Sequence, residues 1–276
     1  LWQRRRYVRV LARLRGFGCA ITERATTARG DAESFARAAA PADYDLIVAA
    51  GGDGTINEVI NGLAESAVPL AILPLGTANV LANEIGLGGS ARAVAEAIAH
   101  LEPRPVFLGT ANGRRFALMV GVGFDARVVE RVDLRLKRAF GKLAYALTAL
   151  RQLFRYRPER YQVDVDGKRF TAAAVVIAKG HYYGGRFIVA RHARLDEPRL
   201  QVALFERAGR WNLLRYAAAL LTDRVARLRD VRILPAVAVT VHGPDGEAVQ
   251  ADGDLVTELP ISVTLAERPL ALVGAG

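Results

Sequence analysis

Leu46-Ile47-Val48-Ala49-Ala50 is an unbroken apolar run that stops on Gly51-Gly52-Asp53-Gly54-Thr55, and Ile56, Val59, Ile60 and Leu63 follow at helical spacing. A short, uniformly apolar run reads as a strand buried on both faces, which occurs where helices cover a parallel sheet. Pro69 then opens a second such run, Leu70 to Leu73, stopped by Pro74, and Val80–Ile85 and Ala91–Leu101 read as helices. Strand, helix, strand, helix predicts a doubly wound α/β unit over residues 1–108.

Beyond Pro103 and Pro105 the texture changes. The runs 161–166, 173–178, 200–205, 237–241 and 261–265 are strand-like, several alternate apolar with polar, and Gly, Pro or Asp separates them. This predicts an antiparallel β-sandwich over residues 109–276 with helical insertions near 130–157 and 211–228. The whole reading is α/β plus β.

The charge is as uneven as the texture. The net charge is +10, yet residues 1–108 balance 11 Lys/Arg against 11 Asp/Glu, so the excess lies in 27 against 17 over residues 109–276. Such an imbalance predicts an anionic partner, nucleic acid or an acidic membrane surface, with a high-Arg, high-Ala genome background as the alternative source of the charge. No recognised DNA- or RNA-reading module is present, so nucleic acid is not expected. Four scattered histidines and one cysteine exclude a Cys/His zinc site and an intramolecular disulfide, which fits a reducing, cytoplasmic compartment. No apolar run approaches the ~20 residues of a membrane span, and no signal peptide follows Arg4-Arg5-Arg6.

The glycine loop carries the chemistry. Adjacent glycines let a ligand approach the backbone, and a helix N-terminus offers unpaired N–H groups to phosphate. Asp53 could hold Mg2+, and Thr55 could donate to phosphate or cap the helix. The alternative is an ordinary strand-to-helix turn with Thr55 as N-cap. Pro74-Leu75-Gly76-Thr77-Ala78-Asn79 ends the next strand, so in a parallel sheet Thr77 and Asn79 face the same crevice as Asp53.

Residues 51–62 (Gly-Gly-Asp-Gly-Thr-Ile-Asn-Glu-Val-Ile-Asn-Gly) followed by 74–79 (Pro-Leu-Gly-Thr-Ala-Asn) resemble the diacylglycerol kinase catalytic family. Within it the match is to the soluble bacterial lipid kinases, relatives of sphingosine and ceramide kinases. Gly121-Val-Gly-Phe-Asp125, Tyr183-Gly-Gly185, Ala193-Arg-Leu-Asp-Glu197 and Ala251-Asp-Gly-Asp254 extend the likeness along almost the entire chain. The glycine motif alone is shared with NAD kinases and phosphofructokinases; the ordered set is specific.

The resemblance implies an ATP- and Mg2+-dependent kinase acting on a lipid hydroxyl, peripherally bound to the membrane, with its C-terminal tail returning to the first domain. It implies a triphosphate loop at Gly51, Gly52, Asp53, Gly54, Thr55, Ile56, Asn57 and Glu58, with Thr26, Thr77 and Asn79 as further nucleotide contacts. Asp125 would join Asp53 around the catalytic metal, and Asp252 and Asp254 would supply the general base. A second, non-catalytic metal would take the carbonyls of Arg194 and Arg199 and the carboxylate of Glu197. Three departures stand out: the sequence given starts in the basic helix that follows the family's first strand and its Asn-Pro-x-x-Gly loop, which are absent or trimmed, Val80 stands where many relatives have Asp, and Asp254 replaces Glu. Read without the family, Asp252-Gly253-Asp254 is a hairpin turn.

Leu136, Phe140, Leu143, Leu147, Leu150 and Phe154 form one helical stripe flanked by Arg135, Arg138, Lys142, Lys137, Arg151 and Arg155. The stripe reads as the packing face of a surface helix, and its basic flanks suit anionic lipid. A sphingoid- or ceramide-type kinase, an NAD-kinase-like soluble kinase and a non-catalytic nucleotide or lipid sensor are the alternatives. A homodimer is compatible with the sequence.

Overall fold

The structure, a computed structural model, describes residues 2–131 and 159–274, the side chains of Asp125 and Arg131 excepted. The stripe at 134–157 therefore lies outside the described residues. The chain divides into two compact units, Leu1–Phe107 with Glu267–Gly276, and Leu108–Ala266.

The first unit holds helices α1 (Trp2–Gly16) and α2 (Asp31–Arg37), strand β1 (Ile47–Gly51), α3 (Asp53–Gly62), β2 (Leu70–Pro74), α4 (Val80–Glu84), α5 (Ala91–His100) and β3 (Pro103–Val106). β1 and β2 run parallel, with Gly51 opposite Pro74. Every residue of β2 is buried, as expected of a strand covered on both faces. The segment Leu270–Val273, the last strand in chain order, pairs parallel with β2 at Leu70 and antiparallel with β3. One face of this sheet is sealed by Val10 and Leu14 of α1 and Val94, Ala95 and Ile98 of α5, packed on Ala71, Leu73 and Val273. Ser90 starts α5 by accepting a hydrogen bond from the Ala93 amide.

The second unit contains β4 (Gly109–Ala111), β5 (Arg114–Phe116), β6 (Met119–Val122), α6 (Phe124–Arg131), β7 (Tyr161–Val165), β8 (Lys168–Ala172), β9 (Ala174–Ala178), β10 (Tyr182–Tyr183), β11 (Phe187–Ile188), β12 (Leu200–Phe205), α7 (Arg210–Leu221), β13 (Val231–Ala236), β14 (Ala238–His242), β15 (Ala248–Ala251), β16 (Asp254–Glu258) and β17 (Ile261–Leu265). Among the described residues twelve of these strands form two six-stranded antiparallel sheets, ordered β13-β12-β9-β6-β15-β16 and β5-β4-β17-β14-β7-β8, while β10 and β11 pair with each other. Their facing residues make one core, with Val120, Val175, Ile177, Val202 and Leu204 from one sheet against Tyr161, Val163, Val241, Ile261 and Val263 from the other. β7 shows the period of two: Tyr161, Val163 and Val165 point inward, while Gln162 is exposed between them. The fold is α/β plus an antiparallel β-sandwich.

Candidate active site

In the first unit the two glycine loops meet at the carboxyl ends of β1 and β2. The Leu75 amide donates to the Gly51 carbonyl at 2.9 Å, carrying the parallel pairing into the loops. A Cβ on Gly76 would lie 2.6 Å from the Gly52 Cα and 2.8 Å from the Asn79 Oδ1, so the loops touch backbone to backbone. Close approach, rather than unusual dihedral angles, is what demands glycine here.

Two side chains lock this contact. Asn79, in the left-handed region at φ 47°, accepts the Gly76 amide at 2.7 Å and donates to the Gly76 carbonyl at 2.8 Å. Asp53, first residue of α3, accepts the Val80 amide at 2.7 Å and so caps α4 from the neighbouring loop. Burial pushes the Asp53 carboxyl above the ordinary carboxylate range, against the pull of the Val80, Asn79 and Leu81 amides.

The reading of Thr55 as helix cap is corrected by the structure. Gly52 is the N-cap and α3 starts at Asp53, so Thr55 lies inside the first turn with its side chain over Gly51. The first helical bond runs from the Ile56 amide to the Gly52 carbonyl, so the amides of Asp53, Gly54 and Thr55 precede it at the positive end of the helix. Gly54 and Thr77 are exposed, Asn57 is half-buried with its Oδ1 accepting Asn61, and Ile56 is a core side chain.

Glu58 accepts the Gly30 amide at 3.0 Å, fixing the start of α2 to α3. Asp31 Oδ2 then takes the Thr27 amide, the Thr27 hydroxyl and the Ala28 amide at 2.7–2.9 Å, and these bonds hold its carboxyl below the usual range. Exposed Thr26 stands at the head of this pinned loop.

In the second unit Asp252 and Gly253, at φ 50° and 87°, make the two-residue turn between β15 and β16. The Asp252 carboxylate accepts the amides of Ala117 at 2.7 Å, Leu118 at 2.9 Å and Met119 at 3.0 Å. Its two oxygens tie the hairpin to the start of β6. Three of the roughly four acceptor sites of the Asp252 carboxylate are thus taken by backbone amides, a bracing role beside the base role expected of it. Asp254 begins β16, half-buried, with Ala251 opposite. Asp125 lies in the first turn of α6, and its side chain is outside the description. Arg127 of the same helix forms a two-pronged pair with Glu247, both bonds 2.8 Å, and the Tyr161 hydroxyl adds a third at 3.0 Å.

The second-metal expectation at Arg194, Glu197 and Arg199 also needs correction. Lys179, 0% exposed, donates from Nζ to the Arg194 carbonyl, one of the three groups a metal would need. Glu197 faces the Arg194 and Arg199 guanidinium groups at 3.8 and 3.5 Å. A carbonyl already holding an ammonium and a carboxylate flanked by two cations do not fit a hard divalent ion. Among the described residues no three His, Cys, Asp or Glu side chains gather as a metal cluster.

Sequence reasoning missed Glu58 as a loop brace, the Asp252 clamp, the Arg127–Glu247 pair and the burial of Lys179. A lysine immediately after the all-apolar run 172–178 was the available signal for the last.

Paired glycine loops at adjacent parallel strand ends, in a chain with an antiparallel sandwich, define a kinase of the NAD kinase-like fold. Residues 2–111 match the diacylglycerol kinase catalytic domain, and residues 118–274 match the YegS C-terminal NAD kinase beta sandwich-like domain. The chain belongs to the diacylglycerol kinase family of lipid kinases. It is 30% identical over 256 residues to the diacylglycerol kinase of Bacillus subtilis strain 168, covering 91% of this chain and 84% of that one. The diacylglycerol kinase of Mycobacterium tuberculosis H37Rv is 28% identical over 272 residues, at 95% and 87% coverage. A solved diacylglycerol kinase from Bacillus anthracis str. Sterne gives a TM-score of 0.73 at 24% identity, over 90% of this chain and 83% of that one, which speaks for the fold.

Proposed function

We propose that the protein transfers the γ-phosphoryl group of ATP to the hydroxyl of a lipid such as diacylglycerol, with Mg2+, at a membrane surface. The observation that carries the reading is the locked pair of glycine loops, Gly51–Thr55 against Gly76–Asn79, in a chain akin to diacylglycerol kinases along most of its length.

Phosphoryl transfer asks a protein mainly for positioning and charge neutralisation. The helix-start amides of Asp53, Gly54 and Thr55 bind the phosphates, with Thr77 and Thr26 as further contacts. Glu58 acts at one remove by holding Gly30. The part-buried Asp53 carboxylate fits a hard cation beside the phosphates and would hold Mg2+, and by the resemblance Asp125 would join it. Such an ion would supply charge neutralisation on the phosphate oxygens. Asp254 accepts the proton of the lipid hydroxyl as its oxygen bonds to the γ-phosphorus; the bond to the β-phosphate oxygen breaks and ADP leaves.

Incubation with γ-labelled ATP and mixed vesicles tests this. Label is expected in the organic phase with diacylglycerol present. Absence of transfer to diacylglycerol, monoacylglycerol, sphingoid base or ceramide alike contradicts the proposal, and label on NAD without lipid does so too.

A further inference from the structure

Helix α7 is apolar on two sides. Its inner side is fastened: Tyr216 is buried edge-on against Phe205 with ring centroids 4.9 Å apart, and its hydroxyl donates to Asp230 at 2.7 Å. Arg215 also bonds Asp230, and Asn212 donates to the Ala208 carbonyl at 2.7 Å. The outer side exposes Trp211 at 84%, Leu214 at 44% and Leu221 at 69%. At 100° per residue, Trp211, Leu214, Ala218 and Leu221 fall within about 80° of arc. An exposed apolar stripe on a helix whose other side is already packed marks a contact surface.

The charge around that stripe has one sign. Exposed Arg207 and Arg210 stand at its start, and exposed Arg224, Arg227 and Arg229 beyond its end. The acids of the same stretch are each paired: Glu206 with Arg232, Asp223 with Arg191 and Asp230 with Arg215. Cations at both ends of a tryptophan-bearing apolar stripe complement an anionic bilayer, where Trp prefers the headgroup level and arginines meet phosphate. No described helix is long and apolar enough to cross a membrane.

We propose that α7 is a membrane-docking helix, which lies in the interface of an anionic bilayer with Trp211, Leu214 and Leu221 inserted. This names the docking element for the lipid-kinase reading and rests on that reading for its purpose.

The chain has two tryptophans, so W2F leaves Trp211 as the reporter. Nucleotide-free W2F protein is titrated with phosphatidylcholine vesicles, with and without phosphatidylglycerol. Expected are a blue shift of Trp211 emission and quenching by brominated acyl chains with the anionic vesicles only, weakened by added salt. Leu214→Ser with Leu221→Ser lowers partition about 30-fold, as two leucines lose their apolar transfer, with the melting curve unchanged. If that variant melts early, brominated-lipid quenching in the W2F parent decides alone. Vesicle binding with silent Trp211 emission overturns the proposal, as does no binding, or a Trp211 shift on lipid-free self-association, which marks a protein interface. Turnover is not read, so a protein that docks but phosphorylates no lipid refutes the kinase reading and leaves the docking helix standing.

Discussion

Asp252→Asn separates a structural carboxylate from a catalytic one. In the native protein Oδ1 takes the Leu118 and Met119 amides and Oδ2 takes that of Ala117. Asparagine tolerates the left-handed dihedral at this turn position, so the backbone is not the cost. With its oxygen at the Oδ1 site, asparagine keeps two bonds, now to a neutral acceptor. Its amide group then faces the Ala117 N–H, donor against donor. Loss of charge assistance costs about 1 kcal/mol, and stranding a partly buried donor about 2 kcal/mol more. For a domain of this size, roughly 3 kcal/mol lowers Tm by about 8 °C. The assay is calorimetric melting beside lipid phosphorylation measured well below Tm. The expected outcome is an early-melting enzyme that keeps most of its turnover. A variant that melts with the wild type but has lost turnover refutes the reasoning and makes Asp252 the base.

Three further outcomes follow from the same contacts. Asp53→Asn retains the acceptor for the Val80 amide and relieves the burial that raises this carboxyl, so Tm holds or rises while turnover falls at least ~100-fold, by calorimetry and kinetics. Lys179→Met leaves the Arg194 carbonyl without its ammonium and costs about 2 kcal/mol, whereas the nucleotide-free wild type melts identically in Mg2+ and in EDTA; a stoichiometric metal lost on Glu197→Gln would reverse that conclusion. Burial and the bond to Asp230 push Tyr216 up to about 12, so the stability it lends is complete below pH ~10, the unfolded tyrosine value, and fades as pH rises towards 12; Tyr216→Phe removes that alkaline loss in urea unfolding across the range.

Local pattern made the strand–loop–helix over residues 46–63 legible, because burial on both faces leaves an unbroken apolar run and a glycine loop interrupts it. The alternation Tyr161, Val163, Val165 did the same for the sandwich. The cap reading of Thr55 fails because the N-cap is Gly52, three residues earlier, a glycine that contributes no side chain. The part played by Asp252 depends on amides 133–135 residues away in the chain, which no local pattern carries. Lys179 looked like one more cation until its burial and the carbonyl it meets were known. The 211–228 stretch read as helical, but a helix with apolar residues on both sides does not announce which side is left uncovered.

The account stands or falls on a division of labour between phosphate-binding loops and a proton-accepting Asp254. Asp254→Asn, with ATP binding by calorimetry and turnover by label transfer, tests it most directly. Unchanged ATP affinity and Tm with turnover down about 100-fold or more is the predicted result. Wild-type turnover in that variant contradicts the claim.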